Sequence, residues 1–540
     1  MSGEAALAGL DPRQRKAAAA EFNAVVAAGA GSGKTRVLAS RYAWLIMEKG
    51  YKVDQILALT FTNKAVTEMY SRIYELLVSQ DNERARTAVA DFYKARISTL
   101  DSFCAAVART AARNYGIRPD FKCDDAAVRD LAMEASLPFV LNHRDNPSLQ
   151  VLLADRKIRT VAEELFAETA LRYSPVSRPL DFGRFIQIQG EEIRRQWKAK
   201  TQKAADLIGS IRPAWAGLPR AKFYESLGAL LGDPLPPAPG IDELLQDGGG
   251  TDSGETGPGS VLRKQAARYF EYLFAIKSLS HSSARSGQYG EVKAYLNELR
   301  DFYGDLETIA NTALHWGIIR SVFPLMDEFQ TLCNRLKREA GILSFNDIAH
   351  LAVDALIEYP DIRKVYKDQF RAVMIDEFQD NNRLQRDLIF LLAEKPGRDK
   401  PELPGPQDLS PDKMFFVGDE KQSIYRFRGA DVSVFRELAE SFRNAAGFKE
   451  SAAGEALSGD GALNLIYNYR SRPGIIAAFN RIFGGVPVSY TLKGETGGSV
   501  EGMSGAGPEE TYRAVFYKAG EKEVNFEARY FTGFPRPGTG

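Results

Sequence analysis

Cysteine and histidine are scarce, with three and four residues in 540. Cys104, Cys123 and Cys333 stand far apart, which excludes a disulfide framework and fits neither a zinc nor an iron–sulfur site. A reduced, cytoplasmic setting follows. No run approaches the ~18 apolar residues of a membrane span, so no membrane association is expected. The opening MSGEAALAGLDPRQRK lacks the charged-then-apolar layout of a secretory leader. An excess of charge of one sign is also missing. Lys+Arg and Asp+Glu are both 70, so any polyanion must be met by a local patch and not by the whole surface. Hydrophobic residues at 44% and charged ones at 26% are those of a soluble globular protein. The length exceeds what one core supports, and about three or four domains is the starting expectation.

Residues 28–35 read AGAGSGKT: Ala28, Gly29, Ala30, Gly31, Ser32, Gly33, Lys34 and Thr35. An apolar run, AVVA (24–27), precedes them, and a helical pattern follows up to Gly50. Strand, glycine-rich turn and helix is the order a P-loop requires. Its glycines let the backbone turn tightly and aim N–H groups at phosphate oxygens, and the helix N-terminus adds positive potential. Lys34 would reach the β- and γ-phosphates, and Thr35 would offer a hydroxyl to Mg²⁺. The first motif position is Ala28 instead of glycine. The plainer alternative is a glycine-rich turn that carries Lys-Thr by chance.

Other segments repeat the strand-to-helix pattern. QILALT (55–60) leads into Phe61, Thr62 and Asn63, and ARISTLDSFC (95–104) has the same form. Strands alternating with helices indicate a parallel sheet. Phe61 could stack on a base while Thr62 and Asn63 meet phosphate; core packing and helix capping explain the same residues equally well. FRAVMI (370–375) runs into Asp376 and Glu377, two carboxylates at a strand end, which is costly unless they meet a cation. Beside a P-loop, Asp376 would hold Mg²⁺ and Glu377 would polarise the attacking water. After the apolar run 414–417 comes GDEKQSIYRFRGAD (418–431). Gln422 could sense the γ-phosphate there. Tyr425 and Phe427, interleaved with Arg426 and Arg428, would form a stacking and phosphate-contact surface for single strands; an amphipathic edge packed on a neighbour is the alternative. Gln14, ahead of the P-loop, reads from spacing alone as helix surface. Between about 115 and 341 apolar residues recur at helical spacing, as at Val292, Leu296, Leu299, Phe302 and Leu306. The Pro/Gly-rich stretch 232–260 reads as a mobile loop. Arg194-Arg195 and the cluster 335–338 read as solvated helix faces. Arg470 lies where a later segment could bring positive charge to a nucleotide.

Taken together, the order and register of AGAGSGKTR, TFTNKA, STLDSFC, IDEFQD, GDEKQSIYRFRGAD and NYRSRP resemble motifs I, Ia, Ic, II, III and IV of UvrD/Rep-like superfamily 1 DNA helicases. The long insertion and GILSFNDIAHLA (341–352) look more like the AddA/RecB subgroup. The resemblance implies an α/β fold: a P-loop, RecA-like parallel sheet with a large inserted helical domain and a truncated second lobe. The corresponding layout is 1–114 and 341–445 for the first lobe, 115–340 for the insertion with a disordered loop near 232–260, 446–462 for a linker, and 463–540 for the start of a second lobe. It further implies an ATP- and Mg²⁺-dependent translocase moving 3′ to 5′ on single-stranded DNA and separating duplex DNA in repair or recombination. It also admits a nuclease or helicase partner subunit. Gln14 would contact adenine, and residues 28–35 with Arg36 would cradle phosphate. Gln422 and Arg470 would read the γ-phosphate, and Phe61, Tyr425 and Phe427 would grip bases. Asp101 stands where many relatives carry His, and no motif V or VI follows motif IV. A nucleotide-gated, strand-binding module without productive unwinding is therefore the alternative.

Overall fold

The computed structural model describes residues 3–216, 222–247, 258–278, 290–398, 400–426, 429–445, 462–465, 467–472, 474–475, 490–491, 509–517 and 523–531. It forms two compact units, Met1–Cys123 with Leu343–Gly540, and Asp124–Ile342.

The first unit is built on six strands: β1 (Ala24–Ala28), β2 (Ile56–Thr60), β3 (Arg96–Thr99), β4 (Ala372–Ile375), β5 (Met414–Gly418) and β6 (Ala462–Leu465). Their order is β3-β2-β4-β5-β1-β6, and every pairing is parallel. The α/β fold with a parallel sheet is thus the observed one. All residues of β2, β4 and β5 are buried, which is why these strands read as continuous apolar runs and not as alternating ones. Helices cover the sheet. Among them, α1 (Pro12–Ala18) starts at a capping box of Asp11 and Gln14, α2 (Lys34–Met47) follows the P-loop, and α3 (Asn63–Val78) follows β2.

Two expectations from sequence need correction. A second lobe was expected from 463, but Ala462–Leu465 instead adds to the first sheet beside β1. Leu463 and Leu465 lie two residues apart and both are buried; a strand's period of two sets them on one face, toward the core. The stretch 232–260 was expected to be loop throughout, yet Ile241–Asp247 is helical. Its Leu245 is buried with Ile193, Ala313 and Trp316. Residues 248–257 and 446–461 lie outside the described ones.

The second unit is helical. Phe182–Ala216, Gly290–Leu314 and Trp316–Ala340 are its longest elements. Val292, Leu296, Leu299, Phe302 and Leu306 form one buried stripe that packs with Leu207, Ile211 and Leu273. The basic clusters are tied within this unit. Arg194 pairs with Asp242 at 2.6 Å, Arg195 pairs with Glu192, and Arg338 donates to the Val176 carbonyl at 2.9 Å. Among the described residues no helix is long and apolar enough to cross a membrane.

A buried ion cluster sits in the first unit, in the segments that flank β4 and β5. Glu394, with no exposed side chain, takes Lys367 at 3.1 Å, Arg363 at 3.6 Å and Arg398. Removing the anion they share would leave buried cations uncompensated, at a cost of about 3–5 kcal/mol. Glu394→Ala is therefore expected to lower the urea midpoint strongly. A midpoint within experimental error of the parent would contradict this account of the cluster.

Candidate functional site

Beyond β1 the backbone passes through Gly31 (φ 76°) and Gly33 (φ 84°), both left-handed. A Cβ on Gly31 would stand 2.7 Å from Asn468 Oδ1, and one on Gly33 2.8 Å from Gln14 Nε2. Conformation and crowding both require glycine here. Ala28, the unusual first motif residue, is the buried last residue of β1, so nothing there calls for glycine's freedom. Three consecutive loop carbonyls are held from outside the loop. Asn468 Nδ2 donates to Ala30 O at 2.9 Å, the Tyr469 amide to Gly31 O at 2.8 Å, and Gln14 Nε2 to Ser32 O at 2.8 Å. Because a peptide is planar and trans, fixing these carbonyls turns the amides of Gly31 and Gly33 the other way. Ser32 is buried and its hydroxyl has no hydrogen-bond partner among the described residues. It lines a cavity of about 510 Å³ together with Gly29, Ala30, Asp419, Arg436 and Asn468.

The parallel sheet brings three strand ends to one edge. Lys34 follows β1, Asp376 and Glu377 follow β4, and Gln422 follows β5. Lys34 Nζ donates to Glu377 Oε2 at 2.8 Å and to Gln422 Oε1 at 3.4 Å. Gln422 Nε2 in turn donates to Asp419 Oδ2 at 2.8 Å. Glu377 is the one non-glycine residue with positive φ (53°) among the described residues. Such backbone strain persists only where surrounding contacts enforce it. Its amide donates to Asp376 Oδ1 at 3.0 Å. Burial, then the neighbouring Glu377, pushes the Asp376 carboxyl from its ordinary 3.8 up to about 7. The same two causes raise Asp380 to about 6. A buried acid beside a second acid is a place that a cation would stabilise.

Thr35 lies in the first turn of α2, half-buried, and Arg36 follows it. The Arg36 guanidinium reaches back to within 2.5 Å of where a Gly9 Cβ would sit. Arg470 is exposed beside the P-loop, its Cβ 2.8 Å from a Cβ built on Gly31. Gln14 departs from the surface position its spacing suggested. It is 2% exposed, and its amide joins the start of α1 to the P-loop. At the carboxyl end of β2, the Phe61 ring lies 4.6 Å from that of Tyr425, tilted by 37°. Thr62 caps α3 by accepting the Ala65 amide at 3.2 Å, and Asn63 opens that helix, exposed. Phe427 and Arg428 lie outside the described residues.

Several contacts had no counterpart in the sequence reading. Asn468 clasps the P-loop, the Tyr469 hydroxyl donates to Asp11, and Gln379 joins Glu377 to Asp419. The Asp-Pro-Arg-Gln run at 11–14 carried a readable signal, since Asp at an N-cap with Gln three residues on is a capping box. The Asn468 contact carried none, because it joins segments more than four hundred residues apart.

Residues 10–443 match the UvrD/REP helicase N-terminal domain model. The chain belongs to this helicase family. It is also similar to proteins that are named as subunits of an ATP-dependent helicase/nuclease. It is 27% identical to the one from Thermoanaerobacter sp. (strain X514) over 514 residues, 29% to the one from Staphylococcus aureus (strain MRSA252) over 497, and 27% to the one from Listeria welshimeri over 494. Each match covers 85% of this chain and 38% of the relative. The helicase-family chain thus spans well under half the length of these relatives.

The raised Asp376 pKa has a definite sign. The folded carboxyl binds its proton more tightly than the unfolded one, so this group's contribution to stability is full below about pH 4 and is lost as pH rises through about 7. Asp376→Asn is expected to be more stable than the parent at pH 8, by roughly 1–4 kcal/mol, and to converge with it near pH 4. Thermal melts across that range in metal-free buffer check this; a variant less stable at pH 8 would refute it.

Proposed function

We propose that this chain carries the ATP-hydrolysing lobe of a DNA helicase/translocase that moves 3′ to 5′ on single-stranded DNA and separates strands in repair or recombination. The convergence of Lys34, Glu377 and Gln422 at the sheet edge that also bears the Phe61–Tyr425 ring pair carries the reading. Family membership and the relatives' printed names support it.

In this reading the P-loop amides and Lys34 bind the triphosphate, and Lys34 exchanges the Glu377 carboxylate for phosphate oxygens. Glu377, released, accepts the proton of the attacking water. Gln422 presents its amide to the γ-phosphate, and Arg470 offers a charge from the other side of the loop. Gln14 sits beside the P-loop for adenine, and Arg36 adds charge at the phosphates. The donor set fits magnesium. One hydroxyl, Thr35, and one carboxylate, Asp376, leave the other positions to phosphate and water, which is how this ion is usually held. No group of three His, Cys, Asp or Glu that would favour a dedicated metal cage occurs among the described residues. When bound, the ion would neutralise phosphate charge. Phe61, Thr62, Asn63 and Tyr425 form the strand-facing surface, and Phe427 and Arg428, outside the described residues, keep the DNA-contact role expected of them from the sequence. The relatives' designation as subunits supports a helicase or nuclease partner, and the scarcity of cysteine supports a cytoplasmic setting.

Two variants test the assignment by different readouts. Lys34→Ala is expected to weaken ATP binding by about 10- to 100-fold, as loss of a charged hydrogen bond implies. Glu377→Gln is expected to keep nucleotide affinity and to lose about 10²- to 10⁴-fold in turnover. Unchanged affinity in the first, or parental turnover in the second, would remove the corresponding role.

A further inference from the structure

The Gln379 side chain is 1% exposed, and both ends of its amide are engaged. Nε2 donates to Glu377 Oε2 at 2.9 Å, and Oε1 accepts the Asp419 amide at 2.9 Å. Its backbone carbonyl accepts the Ser423 hydroxyl at 3.2 Å. Two residues on, the Asn381 carbonyl accepts the Asp431 amide at 3.0 Å. The turn between Asp419 and Asp431 is therefore seated on residues 379–381, and that turn carries Gln422 and Tyr425. Gly418 makes the seat possible. A Cβ there would stand 2.5 Å from Gln379 Oε1 and 2.9 Å from the Phe435 ring. The hydrolytic carboxylate and the strand-facing aromatic are thus joined through one buried amide.

We propose that Gln379 is a positioning residue that couples the nucleotide site to the single-strand site. It hydrogen-bonds Glu377 on one side and holds the Gly418–Asp431 turn on the other. Lys34 and Gln379 share the same Glu377 oxygen. When Lys34 turns to phosphate, the Gln379 bond becomes the principal one on that oxygen, and the amide is drawn toward Glu377. The Asp419 amide, held by the Gln379 side-chain oxygen, follows, and Tyr425, on the same turn, shifts against Phe61. Coupling of this kind is reciprocal: nucleotide alters strand affinity by the factor by which strand alters nucleotide affinity.

The inference rests on the proposed function, and one experiment separates the two. Affinity for oligodeoxythymidylate is measured with and without a non-hydrolysable ATP analogue and Mg²⁺, for the parent chain, Gln379→Met and Gly418→Ala. The parent is expected to show about a fivefold or larger change in strand affinity on adding the analogue, within the usual range of allosteric coupling. Gln379→Met, similar in volume but without the amide, is expected to keep analogue affinity within about threefold and to reduce the change to less than about twofold. Gly418→Ala displaces the amide without altering any polar side chain, and the same uncoupling is expected. A parent that couples alongside a Gln379→Met that couples equally would overturn this inference alone. Loss of both affinities together with a lowered melting temperature in both variants would also overturn it, because Gln379 would then be only structural. A parent with no coupling would overturn it and count against the proposed function as well.

Discussion

The Lys34–Glu377 ion pair is the constraint on which the first unit depends. Its partners follow β1 and β4, which are not neighbours; β5 lies between them. The pair closes only if all three strands are parallel and end at the same level. Glu377 must also leave its strand with a left-handed backbone, and Gly33 must open α2 in the same conformation. Gly418 must lack a side chain so that Gln379 can lie under the next turn. The left-handed residues Gly33 and Glu377 lie next to or within the pair, and so set where this ammonium and this carboxylate leave the backbone.

Charge is distributed with the same economy. The chain as a whole is neutral, so the proposed attraction for a polyanion falls to local groups such as those at the sheet edge. There Lys34 stands 12% exposed and Arg470 is open to solvent. The acids nearby are held unfavourably. Asp376 and Asp380 are both raised by burial and by Glu377. A site of this kind gains most from a metal–phosphate complex that brings both charges at once.

Much of this was legible in the chain itself, because it rested on local patterns. The P-loop glycines, the apolar runs of β1, β2, β4 and β5, and the carboxylates closing β4 each have a short-range physical cause. What could not be read was long-range. Ala462–Leu465 is too short to declare which sheet it joins, and pairing with the free edge of β1 decided the matter. Gln14 looked like surface because its burial comes from the P-loop folding over it, not from its own helix. Ile241–Asp247 lies among prolines and glycines, and becomes helical where Leu245 finds a pocket beside Trp316. The role of Gln379 comes from the approach of Gly418 and Asp419, which no local pattern in IDEFQD discloses.

Hydrolysis and strand binding are proposed to be one coupled function of this sheet edge. Steady-state ATP hydrolysis by the unmodified chain, with and without single-stranded DNA, tests that most directly. Turnover that rises about tenfold or more with an oligodeoxythymidylate is the predicted result, with the strand-facing turn aligning the catalytic carboxylate. Hydrolysis that proceeds at one rate with and without the strand would contradict it, and would leave a P-loop ATPase whose aromatic edge serves another partner.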